Sequence, residues 1–208
     1  MHNTEATAQA LNILRRGDQF QWSVIPFLAF VCYVYFTEIK NRNWASVSAG
    51  LALYGVHWFY EILNALIQHA TGHALWTVPT GTSFLIFIGV GIEISLMFAV
   101  SGIIISRLLP ENPSEKIAGL PLKWLHVISF AVLYSVIEIF LVKATPVFVW
   151  VYDWWGAIPV GLTVYVPFFA AAVFAYYWQP RTRLIFISAV WILDLFLVLV
   201  FAVVLRWI

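Results

Sequence analysis

The chain has 208 residues, of which 62% are hydrophobic and only 10% charged, against about 25% charged in an ordinary soluble domain. Several apolar runs reach the roughly 20 residues needed to cross a bilayer, so the composition specifies an integral membrane protein with almost nothing left for a soluble domain. A net charge of +1 argues against a nucleic-acid partner, and the single cysteine, Cys32, excludes a disulfide framework and a thiolate metal site.

Residues 1–19 lack the long apolar core of a signal peptide, so no cleaved leader is expected. Ala6 to Arg16 reads as a short interfacial helix, with Leu11, Ile13 and Leu14 against lipid. Hydropathy then predicts six spans, at 20–37, 45–68, 82–106, 122–142, 157–178 and 184–207. Short connections make sequence neighbours antiparallel, so the expected fold is an all-α polytopic membrane bundle in which residues 1–208 form one transmembrane domain. The loop 107–121 (RLLPENPSEKIAGLP) is polar and broken by Pro110, Pro113 and Pro121. The segment 144–156 (ATPVFVWVYDWWG) is apolar but too short to span, and its Trp and Tyr suit a re-entrant or interfacial piece. A seventh span would require this segment or the N-terminal helix to insert. No internal repeat is visible.

Lys40, Arg42, Arg107, Lys116, Lys123, Arg181 and Arg183 fall on one side of this arrangement, and Arg15, Arg16, Lys143 and Arg206 on the other. The positive-inside rule therefore predicts loops 38–44, 107–121 and 179–183 in the cytoplasm and both termini outside.

The stretch YGVHWFYEILNALIQHATGH (residues 54–73) carries the strongest functional signal. Tyr54, His57, Glu61, Asn64 and Gln68 step by three and four, which puts a polar stripe on one face of an apolar helix. Glu93, Glu138 and Asp194 also fall inside expected spans. An unpaired carboxylate at mid-membrane costs roughly 2.5–3.5 kcal/mol on insertion scales, so none of the four should face lipid. Polar pairs can simply hold helices together, at about 0.6–2 kcal/mol each. Four acids without an intramembrane arginine exceed that need. By depth, His57, Glu61, Glu93, Glu138 and Asp194 should converge on one cavity between the second, third, fourth and sixth spans, in the outer half of the membrane. His126, Tyr134 and Glu138 form a second striped face.

Phe, Trp and Tyr make up 18% of the chain. Interfacial belts account for most of them, but Trp58, Phe59 and Tyr60 flank Glu61, and Trp191 lies one turn before Asp194. Aromatic faces attract cations. An acid that protonates an apolar substrate within a wall of π-faces is the design of a cyclase or isomerase. No HExxH or desaturase-like histidine set is present, so no metal or cofactor is expected, and His69 and His73 read as boundary loop residues.

Residues 25–67 (IPFLAFVCYVYFTEIKNRNWASVSAGLALYGVHWFYEILNALI), with WILDLFLVLVF near the C-terminus, resemble the membrane-bound terpene cyclases of meroterpenoid and indole-diterpene biosynthesis. Those are small helical membrane enzymes, typically of seven spans, with one acid on the second helix and an Asp on the last. The resemblance implies that Glu61 and Asp194 are catalytic and protonate an epoxide or alkene of a polyprenyl substrate. It departs from the family pattern in having Tyr60 directly before Glu61 and Asn64 where a Tyr is usual. Substrate-pocket roles are then expected for His57, Asn64, Glu93, Glu138, Trp58, Tyr60, Tyr134 and Trp191, and the partners are a hydrophobic isoprenoid and membrane lipid. Rival readings are a proton-coupled transporter using Glu93 and Asp194, a double-bond isomerase similar to the emopamil-binding sterol isomerases, and a haem-bearing or structural subunit of a larger complex.

Overall fold

A computed structural model describes residues 4–208, with side chains from Glu5 onward; residues 1–3 of the N-terminal stretch lie outside the described residues. The chain is mostly helical. Helix α1 (Thr4–Ile13) is followed by α2 (Val24–Lys40), α3 (Trp44–Thr71), α4 (Ile92–Ser106), α5 (Leu122–Ala144), α6 (Ala157–Tyr177) and α7 (Pro180–Val204). Of the described helices, α5, α6 and α7 are both long and apolar enough to cross a membrane, and α4 is a shorter apolar helix.

Local chemistry sets the helix ends. Asn43 caps α3, its side chain accepting from the Ser46 N–H at 3.4 Å. Gly72, at φ 80, closes α3 in the left-handed conformation, and its N–H returns to the Gln68 carbonyl. Pro180 opens α7 in the first turn, where its missing N–H costs nothing. Both α6 and α7 contain a wider π turn, at 161–165 and 198–204.

The expected span at 82–106 is a hairpin followed by a helix. Strands β2 (Leu85–Phe87) and β3 (Val90–Gly91) pair antiparallel, and α4 starts only at Ile92. Its 15 residues rise roughly 22 Å at about 1.5 Å per residue, less than a hydrocarbon core of about 30 Å. The irregular backbone before it must be covered by protein, and Leu85, Phe87, Ile88 and Val90 are indeed buried. Helix α1 supplies part of that cover: the Arg15 N–H donates to the Leu85 carbonyl at 2.9 Å, and Ala6, Thr7 and Ala10 are buried. Ile13 and Leu14, expected against lipid, pack on the core instead, while Leu11 stays exposed.

Segment 144–156 folds over the same end of the bundle. Strand β1 (Trp76–Thr77), between α3 and α4, pairs with a later strand, Val149–Trp150, in register Trp76↔Trp150. The α3–α4 connection, segment 145–156 and α1 together form a cap. In the polar loop at the other end, β4 (Lys116–Ile117) pairs with β5 (Leu120–Pro121), which makes Val149–Trp150 strand β6.

Helix α3 is the centre of the bundle and packs on α4, α6 and α7. Small residues let α3 and α4 approach closely: a Cβ on Gly102 would strike the backbone of Ala49 and Gly50. Both described chain ends lie at the capped end, with α1 on the hairpin and the Trp207 ring stacked 4.8 Å from that of His69. At the opposite end Glu38 is buried, paired with Arg107 and bonded by Asn43.

Candidate functional site

The polar stripe of α3 faces inward. His57, Glu61 and Asn64 are fully or almost fully buried. Asn64 is a clamp between helix and cap: its Oδ1 accepts from the Leu75 N–H at 2.8 Å and its Nδ2 donates to the Trp76 carbonyl at 2.9 Å. That fixes the backbone carrying Trp76, whose indole N–H reaches both oxygens of Glu61 at 3.3 Å. The His57 Nε2 lies 3.6 Å from Glu61 Oε1, beyond a hydrogen bond, and its ring stacks on Phe98 at 4.4 Å.

A second acid is held in the same manner. Glu138, on α5, accepts from the Trp150 indole at 2.5 Å and from the Tyr165 hydroxyl. Cross-strand partners stand on one face of a ladder. Because Trp76 and Trp150 are such partners, the two-residue β1–β6 ladder aims one indole at each carboxylate. Tyr165 comes from the π turn of α6, a kind of irregularity frequent at functional sites.

Glu61 and Glu138 line one cavity of about 50 Å³ with His57, Trp76, Phe98, Tyr134, Phe148, Tyr165 and Phe168. This is room for a few water-sized groups, far below the roughly 300–1,000 Å³ of a pocket that swallows a drug-sized ligand. No lysine or arginine lines it. The two acids differ in their partners. Both oxygens of Glu138 are taken by short bonds, whereas Glu61 shares one distant indole and keeps hydrogen-bonding capacity for a guest.

Several expected site residues lie elsewhere. Glu93 is not at mid-span: it sits in the first turn of α4, where it accepts from the Thr82 hydroxyl at 2.6 Å and the Ser83 N–H at 2.8 Å and ties down the hairpin. Asp194 is buried on α7 with no hydrogen-bond partner at either oxygen, and it is not among the residues lining the cavity. The walls come from α3, α4, α5, α6 and the cap, with none from the last helix. Trp191 donates to the Leu51 carbonyl at 3.1 Å and packs edge-on to Tyr54. Trp58 packs on Phe87 outside the cavity, Tyr60 lines a neighbouring cleft, and His126 bonds its own helix at Leu122. Tyr134 does line the cavity and donates to Ser101 at 2.8 Å. Among the described residues no three His, Cys, Asp or Glu side chains cluster so as to hold a metal ion.

Trp76, Trp150 and Tyr165 are not among the residues that sequence reasoning singles out. Their only signal is chemical: an indole or phenol in an apolar chain needs an acceptor, and the internal carboxylates are the acceptors to hand.

A family model described as "Uncharacterized membrane protein family" matches residues 4–203. An uncharacterized protein of Archaeoglobus fulgidus is 41% identical over 210 residues, covering 99% of each chain. No solved structure matches.

Proposed function

The chain belongs to this membrane-protein family, and on that premise we propose that it is an integral membrane enzyme that protonates the unsaturated or epoxidised end of an isoprenoid chain. The observation that carries the reading is a pair of carboxylic acids, Glu61 and Glu138, in one small aromatic cavity without a cation. Six segments cross the bilayer, namely α2, α3, the β2–β3 hairpin together with α4, α5, α6 and α7, with the polar loop 107–121 in the cytoplasm and the cap outside. Glu61, the less tightly bonded acid, is the proton donor. Its proton passes to an alkene carbon or an epoxide oxygen, and the π or C–O bond breaks to leave a carbocation. Tyr134, Phe98, Phe168 and Trp76 present π-faces to that cation. Attack by a second double bond, or simple migration, followed by loss of a proton to the Glu61 carboxylate, restores the site. The net change is an isomerisation with no change in redox state. Glu138 replaces Asp194 as the second acid of the site and holds Trp150 and Tyr165 in position.

The resemblance of residues 25–67 to membrane-bound terpene cyclases supports the same chemistry. The small cavity favours a substrate that inserts only its end, whether the outcome is a ring or a shifted double bond. The test is product analysis of membranes containing the protein and a panel of polyprenyl alcohols, epoxides and quinols. Cyclised or isomerised product from the wild type, absent with Glu61→Gln at equal yield of folded protein, is the expected result. No product from any member, together with a proton flux in sealed vesicles, would replace this reading with the proton-coupled transporter.

A further inference from the structure

A second cavity adjoins the acid chamber. It measures about 250 Å³, and Tyr60, Leu63 and Asn64 of α3, Leu75, Trp76 and Trp155 of the cap, and Thr163 of α6 line it. Trp76 also lines the acid chamber and is the residue that the two linings share. The outer cleft opens sideways. Leu63 of α3 and Thr163 of α6 are exposed at its rim, as are Ile158 and Leu162 on the same stretch of α6, an apolar helix long enough to cross a membrane. Two of its polar side chains are already engaged: Asn64 holds the cap backbone and the Thr163 hydroxyl donates to the Pro159 carbonyl at 2.7 Å. An apolar recess of this kind within the membrane takes a hydrocarbon chain.

Trp76 is closely packed, but few polar contacts hold its indole. The Trp76 indole is bound only by two 3.3 Å contacts to Glu61, and its ring stacks on that of Trp155 at 5.9 Å. The Trp155 N–H has no acceptor, so no hydrogen bond locks that stack. By contrast the Trp76 backbone is fixed by Asn64. A side-chain rotation of Trp76 can therefore join the cleft to the chamber while the cap stays in place.

We propose that the cleft is a lateral port, which receives the apolar end of an isoprenoid chain tail-first from the bilayer, and that Trp76 is the door through which that end reaches Glu61. The choice of an isoprenoid rests on the acid-catalysis reading; the lateral port and the door rest on the two cavities alone. The geometry accounts for a chamber too small for a whole lipid: the cleft carries the body of the chain and the chamber only its terminus.

Photolabelling of the full chain in lipid nanodiscs tests this. The probes are geranylgeraniol with a diazirine at the hydrocarbon terminus, the same alcohol with the diazirine beside the hydroxyl, and a phosphatidylcholine with a diazirine at the end of a saturated acyl chain. With the Trp76 door shut, as it stands in the resting protein, the tail-labelled isoprenoid should mark peptides around Leu63, Leu75 and Thr163, and the other two should not. Leu63→Trp should fill the cleft and reduce that labelling to background with unchanged gel-filtration elution and melting temperature. Trp76→Ala should move the tail label onto Glu138 and Tyr165. Equal labelling by the acyl probe would overturn the isoprenoid, and labelling spread over the exposed face of α7 would overturn the port. Cleft labelling that persists in Leu63→Trp would do the same, and a tail label confined to the cleft in Trp76→Ala would overturn the door. Glu61→Gln, run in parallel, should label normally because binding precedes chemistry. Cleft labelling without product from any substrate would leave the port standing and remove the catalytic reading, and product without cleft labelling would do the reverse.

Discussion

Glu61 and Glu138 are two copies of one chemical solution, an internal carboxylate met by an indole N–H from the cap. A buried acceptor left without a donor costs about 1–3 kcal/mol, so each tryptophan is as much a stabiliser of the acid as a wall of the cavity. Gly89 shows how tightly one of them is set. A Cβ there would fall on the Trp76 indole nitrogen and on the Asn64 amide, in contacts far inside van der Waals distance. Gly89→Ala should therefore push Trp76 away from Glu61 and lower turnover severely, with an overpacking loss of about 1–3 kcal/mol in stability. Thermal melting and product assays on the same preparation check this, and an unchanged rate would show that the Trp76–Glu61 contact is dispensable. Asp194 makes a different case. Depth along the spans and the resemblance to the cyclases suggest one unit with Glu61, but the residue does not line the acid cavity. Residues acting independently have effects that multiply, whereas members of one constellation do not. The rate losses of Asp194→Asn and Glu61→Gln should therefore multiply, while Glu138→Gln added to Glu61→Gln should be little worse than the poorer single variant. Coincident losses for the Asp194 pair would return it to the site.

At the level of elements, a π turn and a two-residue ladder do what regular structure would not. The wide turn at 161–165 gives α6 an extra residue, and Tyr165 at its end faces Glu138. Removing one residue there should restore α-helical hydrogen bonding, shorten α6 by a rise of about 1.5 Å and change the direction in which Tyr165 leaves the helix. Deletion of exposed Leu162 should thus separate the Tyr165 hydroxyl from Glu138 or misalign α6 against α5, and abolish activity without blocking membrane insertion. Leu162→Ala, which changes only an exposed side chain, should leave activity near wild type. If the deletion variant turned over normally, the π turn would have no part in the site. Hydropathy made the α5 and α6 spans legible to within a few residues. It also merged the β2–β3 hairpin with α4, because a buried hairpin and a buried helix are equally apolar and only the glycines at 89 and 91 mark the difference.

For the whole molecule, the cap and both described chain ends share one face of the bundle and the polar loop 107–121 the other. The proposed orientation follows from the seven cations against four in the loops and ends. In a Cys32→Ser background, Ser114→Cys should react with an impermeant maleimide only after the cells are opened, and Thr80→Cys should react in intact cells. Reaction of both from one side would remove the six-span topology. The sequence by itself determined the membrane class, most of the helices, and the inward stripe of His57, Glu61 and Asn64, because hydropathy and a 3.6-residue period are local properties of the chain. It also put Glu138 and Asp194 within long apolar helices. Only the tertiary structure decided which acids meet. Depth along a span says nothing of rotation about the helix axis, so Asp194 and Glu138 are equivalent in sequence, and only the packing shows that α7 contributes no wall. Nor could spacing pair Trp76 with Trp150: that contact depends on two connections folding back over the same end of the bundle, where the buried carboxylates supply the acceptors their indoles require.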